Sequence, residues 1–65
     1  MTPDEILSQV RGQPEGTFYI TPHHALRRKL HGWYYIGAGM DLMPDAAIAE
    51  NIHVSIKHGT IWSFS

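Results

Sequence analysis

Apolar and polar positions change period along the chain, and the changes mark its elements. Ile6, Leu7 and Val10 fall on one helical face. The residues before them form a helix start. Thr2 suits a cap, Pro3 suits the first helical position, and Glu5 stands three after Thr2 to close a capping box. Asp4 and Glu5 also suit the positive end of the helix dipole. With Gly12 as the stop, the pattern predicts a helix of about three turns at most. Gln13-Pro14-Glu15-Gly16 reads as a turn. Residues 17–21 (TFYIT) are β-branched and aromatic and predict a strand, with Phe18 and Ile20 on one face and Tyr19 on the other.

Thr21-Pro22 repeats the helix-start signal, and Gly32 offers an end. Leu26, Leu30 and Trp33 recur at i, i+4 and i+7, which predicts a second, amphipathic helix over about residues 22–31. His24, Arg27, Arg28 and His31 would share its polar face. Residues 33–36 (WYYI) predict a strand, followed by a turn at Gly37-Ala38-Gly39. Pro44 and Asp45 suit the start of a short helix through Ala46, Ala47, Ile48 and Ala49. Ile52, Val54 and Ile56 alternate with His53, Ser55 and Lys57, a half-buried strand pattern that leads into a second strand over 60–64. A three-residue loop at Lys57-His58-Gly59 pairs Val54 with Trp62 and Ile52 with Phe64, giving one uniform apolar face, and places glycine where φ must be positive. The expected fold is a small single α+β domain spanning residues 1–65. It has about four strands in a largely antiparallel sheet, an N-terminal helix, a second short helix and a C-terminal β-hairpin.

Composition narrows what such a domain can do. The chain has 65 residues and no cysteine, so disulfides, thiol catalysis and thiolate zinc sites are excluded. At 43% hydrophobic and 17% charged it is too apolar for a disordered chain. A core this small has a thin stability margin, which a second copy or a partner would widen. No targeting segment is read at the N-terminus, where Asp4 and Glu5 stand in place of positive charge, and a cytoplasmic location is expected.

Net charge is −1, but Arg27, Arg28 and Lys29 are consecutive and flanked by His23, His24 and His31. Such a face suits phosphates or a carboxylate-rich protein surface, and it equally suits plain solvation. Five histidines invite a metal site, yet His24 and His31 lie seven apart, about 10 Å along a helix, so no metal is expected. No serine stands in a Gly-x-Ser-x-Gly context, and Asp41 with Asp45 is better explained by capping than by acid–base work. Gly37-Ala38-Gly39 is followed by Leu42 where a dinucleotide loop needs its third glycine. No cofactor and no enzymatic activity are expected.

Aromatic placement supplies the remaining signal. Trp33, Tyr34 and Tyr35 are consecutive, so in a strand at least one ring faces away from the others. Tyr19 likewise opposes Phe18 and Ile20. Exposed Tyr or Trp beside arginine is typical of protein-binding surfaces. The sequence therefore predicts a non-enzymatic protein-binding module using His24, Arg27, Arg28, His31, Tyr19, Tyr34 and Tyr35, with no membrane partner. Small inhibitors carried by phages and mobile elements, including anti-CRISPR proteins, share this size and lack of motif. Homodimerisation through the aromatics is a corollary. The alternatives are a nucleic-acid-binding regulator using Arg27, Arg28 and Lys29, and a small ribonuclease-like toxin.

Overall fold

The computed structural model describes residues 1–37 and 42–65. Helix α1 (Pro3–Arg11) forms as its capping signals dictate. The Glu5 amide donates to Thr2 Oγ1 at 3.2 Å, and the Thr2 hydroxyl donates to the Glu5 carboxylate at 3.0 Å. Strands β1 (Phe18–Ile20), β2 (Ala25–Lys29), β3 (Gly32–Tyr35) and β4 (Leu42–Met43) follow, then helix α2 (Asp45–His58) and strand β5 (Ser63–Phe64). The described strands form one antiparallel sheet in the order β4-β3-β2-β1-β5.

The α+β class, the antiparallel sheet and the N-terminal helix agree with the sequence, while two segments exchange their expected conformations. Residues 22–31 are not a helix. Thr21 does gather amides, as a cap would, but from His23 and His24 in the tight turn that leads β1 into β2. Leu26 then points into the core, whereas Leu30 is largely exposed in the β2–β3 turn, so their four-residue spacing is a coincidence. The C-terminal hairpin is also absent among the described residues. Residues 52–56 continue α2, burying Ile48, Ala49, Ile52 and Ser55 at helical spacing and exposing Val54 and Ile56. Gly59 does adopt positive φ (72°), but as the left-handed cap of α2 instead of a hairpin loop. Strand β5 pairs with β1, with Phe64 opposite Tyr19, and not with residues 52–56.

Both helices lie on one side of the sheet. Ile6 and Val10 of α1 and Ile48, Ala49 and Ile52 of α2 share a core with Tyr19, Leu26 and Trp33, one from each of β1, β2 and β3. Trp62 and Phe64 close it, and the Trp33 and Phe64 rings stack with centroids 5.8 Å apart. Gly32 is required where β3 meets β4. A Cβ there would sit 2.6 Å from the Met43 carbonyl oxygen, at a φ of 153°.

Candidate functional site

Pairing register sorts the strand residues onto two faces. Phe18 lies opposite Arg27, Arg27 opposite Tyr34, and Tyr34 opposite Leu42. Phe18 and Ser65 exchange two backbone hydrogen bonds of 2.8 Å, which carries this row to the far edge. A second row runs through Ile36, Ala25, Ile20 and Ser63, with the Ile36 amide donating to Ala25 at 2.9 Å. These residues alternate with the buried Tyr19, Leu26 and Trp33, so they face away from both helices. Phe18, Ile20, Ile36 and Leu42 are 36%, 40%, 50% and 44% exposed, which makes this an apolar surface with no layer over it among the described residues.

Arg27 stands at the middle of that surface because β2 is the central strand. Its guanidinium lies 5.7 Å from the centroid of the Phe18 ring, within cation–π range. Lys29 shares the face by alternation and is exposed. Arg28, one residue along, has the opposite surroundings. It points inward, packs over the Trp33 ring at 5.3 Å and forms an ion pair with Asp45 at the start of α2. Asp45 Oδ1 also accepts from Trp33 Nε1 at 2.9 Å. One carboxylate thus ties the N-terminus of α2 to both β2 and β3, consistent with its place in the first helical turn.

The structure divides the candidate residues read from the sequence. Arg27 and Tyr34 meet on the helix-free face. Arg28 is removed from it by its ion pair. Tyr19 is a correction: it is 1% exposed and central to the core, where its hydroxyl donates to Asn51 Oδ1 at 2.6 Å. Burial pushes that hydroxyl's pKa above the usual tyrosine value, with Ser55 pulling weakly the other way. Tyr35 faces the helix side, half-buried against the core, with the His24 ring edge-on at 5.3 Å. His31 is exposed in the β2–β3 turn. A basic helix face over residues 23–31 does not exist, because β2 sends Arg27 and Arg28 to opposite sides of the sheet.

Phe18, Ile20, Ile36 and Leu42 belong to the surface and were not singled out from the sequence. For Phe18 and Ile20 strict alternation with Tyr19 was the available signal, but alternation alone does not say which side is covered. Asp41 and the turn at Ala38-Gly39 lie outside the described residues. Among the described residues no group of three acidic or histidine side chains is placed to hold a metal ion. None of their helices is long and apolar enough to cross a membrane.

A concavity lies between the two helices. It is a shallow groove of about 300 Å³ lined by Leu7, Ala46 and Ala49 together with Asp4, Glu50 and His53. Compared with family models, curated proteins and solved structures, the chain matches none.

Proposed function

We propose that this chain is a non-enzymatic protein-binding module that docks a partner on the helix-free face of its sheet. The observation that carries this reading is the in-register row Leu42, Tyr34, Arg27 and Phe18, with Ile20 and Ile36 beside it. A sheet normally buries its apolar face against another layer, and here one apolar face has none. Aromatic and arginine side chains at the centre of such a patch match the composition of binding hot spots. Inhibition by covering a partner's working surface is the mode of action that suits so small a domain.

The test is affinity capture from the source cells with the wild type and a Phe18→Ser/Tyr34→Ser variant, after melting curves show that the variant folds. A partner retained by the wild type and lost by the variant supports the reading. Equal recovery by both, or no partner for a monomeric wild type, overturns it. A second reading, nucleic-acid binding, is favoured by the in-register row Phe18, Arg27 and Tyr34, residue types that also serve base stacking. Phosphate binding would weaken steeply with added salt, whereas an apolar protein interface would not.

A further inference from the structure

We infer that the occupant of the helix-free face is a protein segment that sets a carboxylate against Arg27 and surrounds it with apolar side chains. The inference rests on the docking reading above and adds the chemistry of the partner. Its starting point is the position of Arg27 on the central strand, with Phe18 and Tyr34 opposite it on the two neighbouring strands. Any partner that covers the aromatics also covers the guanidinium. A desolvated guanidinium without an acceptor opposes binding, so the partner must bring one.

Among the described residues no side chain brings one. No described strand contains an aspartate or glutamate, and the described side-chain carboxylates stand at Asp4, Glu5, Glu15, Asp45 and Glu50, in the helices or the turn before β1. Asp45 is engaged by Arg28, and that is the single ion pair among the described residues. Among the described side chains of the helix-free face the charged ones, Arg27 and Lys29, are both positive. A carboxylate is the matching group, because its two oxygens fit the guanidinium fork.

The same central position argues against a second copy as occupant. A two-fold axis through the middle of the sheet would bring Arg27 against its own mate, burying like charges at the heart of the contact. It also weighs against a polynucleotide. Ile20, Ala25, Ile36 and Leu42 surround the two rings and offer neither a stacking plane nor a phosphate donor, whereas apolar protein side chains would bury them.

The test is selection of a phage-displayed random peptide library on the immobilised full chain, followed by fluorescence anisotropy with the selected peptides. Selected sequences should carry Asp or Glu among apolar residues. Their affinity should fall about tenfold or more with Arg27→Ala and with Phe18→Ser/Tyr34→Ser. Replacing the peptide's carboxylate by Lys should abolish binding to the wild type and restore it to Arg27→Glu. Peptides that need Phe18 and Tyr34 but carry no acid and ignore Arg27→Ala would overturn the partner chemistry while leaving the docking face intact. Peptides indifferent to all three residues, or an empty selection, would overturn both. Tight binding of a labelled oligothymidylate that displaces the peptides would replace the inference with nucleic-acid recognition. A dimer in sedimentation experiments that Phe18→Ser dissolves would replace it with self-association.

Discussion

The two faces of this sheet are built from neighbouring residues of the same types, yet they do opposite work. On the helix side Tyr19, Trp33 and Arg28 are covered, and each polar group on them has a fixed partner: Asn51 for Tyr19, Asp45 for both Trp33 and Arg28. On the other side Phe18, Tyr34 and Arg27 face away from the helices, and the arginine has an aromatic ring beside it and no ion pair among the described residues. A tyrosine, an arginine or a large apolar side chain therefore has no fixed meaning in this chain. Its consequence is set by which side of the pleat it takes.

The sharpest way to break the comparison is to truncate adjacent residues of β3. Trp33→Ala removes a fully buried ring and should cost about 3–5 kcal/mol, enough to unfold much of so small a domain. Tyr34→Ala should cost about 1 kcal/mol or less, as surface changes usually do. Chemical denaturation followed by circular dichroism measures both, and equal losses would mean that the two faces are not distinct.

The arginines of β2 provide the next contrast. Arg28→Ala strands the Asp45 carboxylate and should cost about 1.5–3 kcal/mol, the range for hydrogen bonds to charged groups. Arg27→Ala should change stability by about 0.5 kcal/mol or less. A melting-temperature series over both variants and the double variant checks this, and an Arg27 effect as large as that of Arg28 would place the ion pair in the wrong register.

A smaller effect is expected from the buried hydroxyl. Because burial raises the Tyr19 pKa in the folded state, its protonated form is favoured there. That stabilisation is fully present below the ordinary tyrosine value near 10 and is lost as pH rises through the raised folded value. Stability should therefore fall in alkali more steeply for the wild type than for Tyr19→Phe. Denaturation curves from neutral to strongly alkaline pH measure the slopes, and parallel slopes would place the hydroxyl in solvent.

The smallest effect on stability sharpens the other side. Ile20→Thr and Ile36→Thr keep β-branched side chains on exposed positions and should each change stability by about 0.5 kcal/mol or less. They should still reduce binding of a hydrophobic dye to the folded protein. Unchanged dye binding would mean that the helix-free face is not the apolar patch the register describes.

Part of this organisation was legible in the sequence. The capping residues of α1, the strands at residues 17–21 and 33–36, and the start of α2 at Asp45 all follow from local rules. So does the positive φ of Gly59, although its use as a helix cap does not. The candidate face was legible in part: Arg27 and Tyr34 are on the helix-free side, Tyr19 and Arg28 are not, and Phe18, Ile20, Ile36 and Leu42 share that side.

By itself the sequence determined the α+β class, the absence of cysteine chemistry, the first helix and the alternation within the early strands, because each rests on neighbours within a few residues. Only the tertiary structure decided the fates of residues 22–31 and 45–58. Leu26, Leu30 and Trp33 have helical spacing, and Ile52, Val54 and Ile56 have strand spacing, but each pattern is short enough to arise by chance. Burial broke the tie. Leu26 and Trp33 can both reach the core from a hairpin that exposes Leu30, and the Asp45 carboxylate meets Arg28 and Trp33 only when that hairpin forms. Ile52 then completes a helical face with Ile48 and Ser55 over the sheet. Which face of β1 is covered follows from the same packing, because the side chains that cover Tyr19 come from residues about thirty positions away in α2.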